Sequence, residues 1–250
     1  MKESQLKNNG IVIQNLVKKF DNITAVDGIS FDVKAGELFG LLGPNGAGKT
    51  TIISMLTGQL RPTSGTALVS GYDIKKQANK VRKLIGVCPQ EPAYYSYLTG
   101  RENVELFGKL HGMTKDELKE RTDELLMKVG LVEGATQRAG KYSGGMIRRI
   151  SLIMALINNP DIAYLDEPTV AMDVQSRHAT WDFIRDLRAM GKTIILTTHY
   201  IEEAESLCDR VGIIDRGKMI ALDIPKALMS EYRAKNLEEV FIKITGRKIR

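Results

Sequence analysis

The sequence predicts an α/β fold with a parallel sheet, an N-terminal antiparallel β part and an inserted helical lobe. Short β-branched runs alternate with longer segments of helical periodicity, and this strand–helix–strand order favours a parallel sheet with right-handed crossovers. Apolar runs at Leu38–Leu42, Ile162–Leu165 and Thr193–Thr197 predict buried strands. The chain has 250 residues, which suits one domain whose α/β core takes residues 1–91 and 160–224.

Residues 92–159 predict the helical lobe, because this stretch contains no convincing strand. Thr114 and Glu117 form a capping box, in which two side chains satisfy free backbone N–H groups at the start of a helix. In the N-terminal part, the period-two runs IVIQNLV and ISFDV indicate antiparallel strands. Further along, helical spacing predicts one buried stripe made of Trp181, Ile184, Leu187 and Met190.

Residues 225–250 are predicted to form a C-terminal extension. Its apolar side chains suggest that it packs on the core or on a second copy of the chain, and the charge near its end could lie at the membrane surface. A dispensable tail is the alternative. These side chains are Leu237, Val240, Phe241, Ile242 and Ile244.

Composition and charge exclude several classes of protein. The longest apolar run, Ile150–Ile157, has eight residues, whereas a membrane-spanning helix needs about twenty. The first twenty residues lack a long apolar core with a cleavage site, so the cytoplasm is the expected location. The net charge of +6 could favour nucleic acid or an anionic membrane face. Basic and acidic residues alternate along the polar faces, however, so no nucleic-acid partner is expected. Cys88 and Cys208 are predicted to be buried free thiols.

A glycine-rich loop carries the strongest functional signal. The segment GPNGAGKT at residues 43–50 matches the P-loop pattern, with a strand before it and a helix from Gly48. Glycines let successive N–H groups point at phosphate oxygens, and the helix start adds a positive pole. Lys49 would neutralise the β- and γ-phosphates, and the Thr50 hydroxyl would ligate Mg²⁺. The pattern predicts a P-loop NTPase core with these nucleotide-binding residues: Gly43, Pro44, Asn45, Gly46, Ala47, Gly48, Lys49, Thr50 and Thr51.

An acid pair follows the strand Ile162–Leu165. Asp166 would hold Mg²⁺ through its water shell. Glu167 would accept a proton from the attacking water. Acids at strand ends are often only solvated, but an acid pair downstream of the Lys49 loop indicates a catalytic site.

The segment Ser143, Gly144 and Gly145 precedes a helix predicted over 147–157. A serine and two glycines at a helix start suit a phosphate. Because the chain already has one phosphate cradle, the second makes physical sense if it serves the nucleotide of another copy. The alternative is a helix that is merely capped by its serine.

With these motifs in order, the sequence resembles the nucleotide-binding subunits of ABC transporters over nearly all of its length. The resemblance implies that Phe20 stacks on adenine and that Ser143–Gly145 is the core of the signature sequence. It implies that Gln90 contacts both nucleotide and Mg²⁺ where the helical lobe joins the core. It also makes Asp173 the D-loop acid and His199 the switch residue that reaches the γ-phosphate.

Two departures from the family pattern stand out. The signature is flanked by Tyr142 and Met146 instead of the usual Leu and Gln, and Ala171-Met172 replaces a usual Gly-Leu before the D-loop acid. The subfamily that this variant resembles contains drug-resistance and ABC-2-type exporters. The departures put the rate of hydrolysis in question more than the activity itself.

The resemblance also implies a mechanism and partners. Two copies would sandwich two Mg·ATP between Lys49 of one and Ser143 of the other, with Glu167, His199 and Lys49 as catalytic residues. The dimer would power a separate polytopic permease, most simply for export, from the inner face of the cell membrane. The alternatives are a soluble ABC-type ATPase that acts on nucleic acid or ribosomes, and a regulatory module without turnover.

Overall fold

The computed structural model describes residues 9–248, which form two sheets flanked by helices. The strands, in chain order, are β1 (Asn9–Phe20), β2 (Ile23–Lys34), β3 (Leu38–Leu42), β4 (Ser64–Val69), β5 (Tyr72–Asp73), β6 (Ile85–Cys88), β7 (Ile162–Asp166), β8 (Thr193–Thr198), β9 (Arg210–Asp215) and β10 (Lys218–Asp223). The helices are α1 (Lys49–Leu56), α2 (Ala78–Leu84), α3 (Gly100–Leu110), α4 (Lys115–Lys128), α5 (Gly144–Leu156), α6 (Val174–Ala189), α7 (Ile201–Leu207), α8 (Pro225–Glu231) and α9 (Leu237–Thr245).

The N-terminal sheet has the strand order β2-β1-β4-β5, and all of its pairings are antiparallel. β1 and β2 form a tight hairpin, in which Phe20 pairs with Ile23. One face of this sheet is apolar and buried, as alternation of the side chains requires. The predicted antiparallel β part is therefore confirmed.

The central sheet has the order β10-β9-β3-β8-β7-β6, and every pairing except that of β10 with β9 is parallel. All residues of β3, β7 and β8 are buried, because other elements cover both faces of the sheet. Register places Leu42 beside Thr198, and Asp166 beside Thr197. The carboxyl ends of three strands thus meet at one edge, where ligands bind in open α/β sheets.

Helices α3, α4 and α5 lie between β6 and β7 in the chain. Thr99 and Thr114 each begin a helix with a complete capping box, as the pattern at Thr114 predicts. The described stretch from 92 to 159 contains one isolated bridge, Thr99 to Arg138, and no strand. Helix α5 starts at Gly144, earlier than the predicted 147, and packs on both α3 and β6.

The division into a core at 1–91 and 160–224, a lobe at 92–159 and an extension at 225–250 stays a prediction. Its residues 1–8 and 249–250 lie outside the described part of the chain. Side chains of α3, α4 and α5 share one apolar cluster with the central sheet. The predicted lobe therefore rests directly on the core.

The predicted buried stripe holds for Trp181, Ile184 and Leu187, but it was wrong for Met190. Met190 is 56% exposed, because α6 ends at Ala189 and the next residue turns away as the helix cap. Both cysteines are buried free thiols, as predicted. Within residues 9–248, no helix combines the length and apolar character that crossing a membrane requires.

Helix α9 explains the apolar residues of the predicted extension. Leu237, Val240 and Phe241 are buried in the cluster that covers the central sheet, whereas Ile242 and Ile244 are only partly buried. Of the predicted arrangements, packing on the core is the one found in a single copy of the chain.

Candidate nucleotide-binding and catalytic site

The loop between β3 and α1 depends on glycine at two positions. Gly48 has φ of 105°, a left-handed conformation, and a Cβ there would lie 2.4 Å from the Ala25 carbonyl oxygen. A Cβ on Gly43 would lie 2.3 Å from the carbonyl oxygen of Ile214. Backbone therefore packs on backbone around this loop, and no larger side chain fits. The loop is therefore held in one curled conformation. Its free backbone N–H groups lie at the start of α1.

Lys49, at the start of α1, is 5% exposed. Its Nζ donates to the carbonyl oxygens of Gly43 at 2.7 Å and Pro44 at 3.2 Å. Burial lowers the pKa of the Lys49 ammonium, and the nearby Glu167 and Asp166 carboxylates act in the opposite direction. The side chain thus places a cation inside the curl of the loop, where a phosphate would be held.

The Glu167 carboxylate draws the predicted catalytic residues together. Its Oε1 lies 3.4 Å from Lys49 Nζ and 3.2 Å from His199 Nδ1, and its Oε2 accepts from Gln90 Nε2 at 3.3 Å. The His199 nitrogen is buried and makes no hydrogen bond, so this contact is one of proximity. Three residues far apart in sequence therefore converge on one carboxylate, that of Glu167, which is 5% exposed.

Thr197 is a residue of the site that the sequence reasoning missed. Its hydroxyl donates to Asp166 Oδ1, and it accepts from the Glu167 backbone N–H at 3.1 Å. The only signal in the sequence is a threonine at the carboxyl end of a buried strand. That signal is weak, because the sequence does not indicate which strand pairs with the strand that ends in Thr197.

A cleft of about 310 Å³ opens beside the P-loop. Other cavities are larger, including one of about 700 Å³ near His111, but the chemistry of the lining distinguishes this cleft. It is lined by Ala25, Asn45, Gly46, Ala47, Gly48, Lys49, Thr50, Thr51, Gln90 and Glu167. The Thr50 hydroxyl and the Gln90 amide oxygen in this lining are hard ligands of the kind that suit Mg²⁺ together with phosphates. Asp166, which also carries such oxygens, is buried and does not line the cleft.

Phe20 does not line this cleft. It ends β1 with 44% of its surface exposed, and Lys18 Nζ lies 4.9 Å from the centroid of its ring. An aromatic ring at this position is available for stacking, and its role toward adenine stays a prediction.

The segment Ser143–Gly145 also lies outside the cleft. The Ser143 hydroxyl caps α5 by accepting from the Met146 N–H at 3.3 Å, as the capping alternative requires. The nearest heavy atom to a Cβ on Gly144 would be the Ala171 carbonyl oxygen at 3.9 Å, and on Gly145 it would be Ser176 Oγ at 3.9 Å. This open helix start therefore faces the segment of Asp173.

Asp173 begins α6. Its carboxylate accepts from the Ser176 N–H at 2.8 Å and from the Ser176 hydroxyl at 2.7 Å. These hydrogen bonds lower the pKa of the Asp173 carboxyl against the opposing effect of desolvation. Asp173 is thus an anion at a helix N-terminus, near the second candidate cradle of its own chain.

Tyr142 and Met146, which depart from the family signature, pack around two glycines. The Tyr142 hydroxyl donates to the Gly134 carbonyl oxygen at 2.7 Å. A Cβ on Gly100 would lie 2.0 Å from that hydroxyl, and one on Gly134 would lie 3.0 Å from Met146 Cε. The two departures therefore form one packed unit under the start of α5.

Comparison with known proteins places these features in a family. Residues 26–170 match the family model described as ABC transporter. The chain is 48% identical over 217 residues to the linearmycin resistance ATP-binding protein LnrL of Bacillus subtilis, covering 87% of this chain and 70% of that protein. It is 42% identical over 231 residues to Nod factor export ATP-binding protein I of Burkholderia lata, covering 92% and 76%.

ABC transporter A family member 10 of Arabidopsis thaliana is 47% identical over 233 residues, and the match covers 90% of this chain but only 25% of that much longer protein.

Solved structures agree with this assignment. An ATP-binding subunit of an ABC transporter superposes with a TM-score of 0.86 at 26% identity, covering 94% of this chain and 99% of that one. A dimeric ATP-binding cassette in a post-hydrolysis state, bound to ADP and Pi, superposes with a TM-score of 0.80 at 27% identity, covering 86% and 98%. The chain therefore belongs to the ABC transporter family, as an ATP-binding subunit that hydrolyses ATP.

Proposed function

We propose that two copies of this chain close around two Mg·ATP and drive a separate membrane permease in export. The proposed dimer rests on one observation, the presence of two helix starts, at Lys49 and at Gly144. Each suits a phosphate, yet only the first lines the cleft. A second cradle that does not line the cleft of its own chain would serve the nucleotide of another copy. The dimeric arrangement of the solved relative supports this proposal.

The residues around the cleft suit hydrolysis in such a dimer. Thr50, Asp166 and Gln90 would hold Mg²⁺, which neutralises phosphate charge when it is bound. Lys49 would steady the β- and γ-phosphates. Glu167 would take the proton of the attacking water, and His199, beside it, would steady the charge that develops on the γ-phosphate.

A groove of about 380 Å³ offers the permease a place to dock. It lies between β6, α3 and α5, and it includes Pro89, the neighbour of Gln90. Apolar side chains such as Val87 and Phe107 line it, with Arg82 at its edge. A helix of the permease in this groove would sense movement at Gln90. The export direction is supported by the relative that is named for Nod factor export.

Mixing two inactive variants tests the dimer. Lys49→Ala and Ser143→Arg chains each lack one half of every composite site, but a mixed dimer contains one intact site. We expect ATPase activity to return on mixing, in proportion to the mixed dimers formed. The control mixes a chain that carries both substitutions with the Lys49→Ala chain, because the dimers in that mixture contain no intact site. If activity returns no further than in that control, although all the variants fold, the composite site is refuted.

Affinity purification from native membranes tests the permease. The Glu167→Gln variant, solubilised with Mg·ATP, should bring down a polytopic protein with several apolar spans of about twenty residues each. Arg82→Glu in the same background should weaken this recovery, whereas Arg185→Glu, on an exposed face of α6, should not. Recovery of only soluble or nucleic-acid-bound partners would favour the soluble ATPase alternative.

A further inference from the structure

Glu203 is a fully buried acid that does not line the nucleotide cleft. It lies on α7 and accepts two hydrogen bonds at Oε1. The Thr169 hydroxyl donates at 2.7 Å, and Trp181 Nε1 donates at 2.9 Å. Both donors are themselves buried, at 1% and 2% exposure. One carboxylate oxygen therefore joins three separate segments of the chain.

Packing alone does not account for this acid. Taking a carboxyl out of water costs free energy that an apolar side chain of similar size would not cost. Burial raises the pKa of the Glu203 carboxyl, against the opposing effect of its hydrogen-bond donors. Its Oε2 is buried without a hydrogen bond of standard geometry, and the Thr198 hydroxyl is the further polar group beside the carboxyl. A group this costly has a use other than filling space.

The segments that Glu203 joins carry the reacting groups. Thr169 lies two residues after Glu167, and α7 begins two residues after His199. In addition, the Arg177 guanidinium of α6 lies over the ring of Tyr200, 4.8 Å from its centroid. Helix α6 thus contacts the segment after His199 at two points. Glu167 Oε1 and His199 Nδ1, which precede the segments of Thr169 and α7, lie 3.2 Å apart.

We propose that Glu203 is a positioning residue for ATP hydrolysis, which ties the segment after Glu167 to the helix after His199 through Thr169 and Trp181. The proposal rests on the roles proposed above for Glu167 and His199. Glu203 itself does not touch nucleotide. Its effect is to fix the distance between the proposed base and the residue that steadies the γ-phosphate, and misplacement by about 1 Å can cost a factor on the order of 100 in rate.

The test compares Glu203→Leu with Glu203→Gln in the full chain. Glutamine keeps a carbonyl oxygen for Thr169 and Trp181, whereas leucine leaves both donors unpaired. We expect kcat for ATP to fall roughly 10- to 100-fold in the leucine variant, with KM for ATP unchanged. The glutamine variant should keep kcat within about threefold of the unmodified chain, because positioning needs the acceptor and not the charge.

Thr169→Val gives a second route if Glu203→Leu does not fold. Valine matches the shape of threonine and removes only one donor, so kcat should fall by less than in the leucine variant while KM stays constant. A kcat that is unchanged in both variants overturns the proposal. The proposal is also overturned if kcat falls as much in Glu203→Gln as in Glu203→Leu. It is overturned as well if the fall in kcat follows the folded fraction of the variant, measured by circular dichroism.

Glu167→Gln, measured alongside, keeps the two ideas separate. Normal turnover in that variant would refute the proposed base and, with it, the reaction that Glu203 is meant to position. Lost turnover in Glu167→Gln together with normal kcat in Glu203→Leu would refute only the positioning role.

Discussion

Glu167 adopts an unusual backbone conformation, with φ of 50°. For a residue other than glycine, such a conformation costs roughly 1–3 kcal/mol and persists where its surroundings enforce it. Here the Glu167 N–H donates to both the carbonyl oxygen and the hydroxyl of Thr197, each at 3.1 Å. The same hydroxyl donates to Asp166. A single threonine thus orients the proposed base and the acid that would hold Mg²⁺.

Replacing Thr197 with valine should reduce both stability and turnover. The change leaves the Glu167 N–H with one partner fewer and Asp166 without its hydroxyl donor. Water cannot replace the lost group easily, because Thr197 is fully buried. We expect the free energy of unfolding to fall by about 1–3 kcal/mol, measured by urea denaturation. Thr197→Ser keeps the hydroxyl and is the matched control. Equal stability and equal ATPase rates in the two variants would contradict the assigned role.

At the scale of elements, helix α5 approaches the central sheet through a glycine. A Cβ on Gly86, in β6, would lie 1.9 Å from the Ala155 carbonyl oxygen and 2.8 Å from Pro160 Cγ. The obstacle is mainly backbone, so a side chain there cannot be accommodated by a change of rotamer. The close contact fixes where α5 lies, and with it the position of Ser143 at its start.

Gly86→Ala should therefore destabilise the chain by about 1–3 kcal/mol, because α5 must move away from β6. Gly145→Ala is the control for stability, since a Cβ there would meet nothing closer than 3.9 Å. Alanine is also the better helix former, so this control should be at least as stable as the original chain. Thermal unfolding of the two variants measures the difference. Equal melting temperatures would show that the close contact of Gly86 with α5 does not limit the stability of the chain.

At the scale of the whole molecule, helix α9 packs against α7, which follows His199. The Leu237 N–H donates to Glu205 Oε2 at 3.1 Å. Phe241 is fully buried in the apolar cluster that extends across the central sheet to α5. The C-terminal helix is therefore part of the same core that positions the site, and it supports the helix that carries Glu203.

Phe241→Ala should cost about 3–5 kcal/mol of stability, which is the usual range for removing a buried phenylalanine. Met127→Ala, on α4, is the control, because Met127 is 72% exposed and little apolar surface changes on its truncation. Urea denaturation of both variants checks the prediction. If Phe241→Ala is no less stable than Met127→Ala, the C-terminal helix does not contribute to the core.

Local features of the fold were predictable from the sequence because they depend on neighbouring residues. The capping box at Thr114 satisfies the N–H groups of its own helix. The apolar run Leu38–Leu42 contains no position that could face water, and it is buried throughout. The glycines and the lysine of residues 43–50 form a pattern that can be recognised from consecutive positions, whereas the backbone of Ala25 and Ile214 that packs against Gly48 and Gly43 is contributed by distant residues. The sequence by itself thus determined the fold class and the phosphate-binding loop.

Contacts between distant residues were decided only by the tertiary structure. Thr197 reaches Asp166 because β8 pairs with β7 in one register, and a shift of one residue would turn its hydroxyl to the other face. Glu203 meets Thr169 and Trp181 because α6 and α7 pack side by side. Met190 is not part of the buried stripe because α6 ends at Ala189, one residue before it. Strand register, helix packing and helix ends depend on the balance of many contacts across the molecule, and no short stretch of sequence contains that balance.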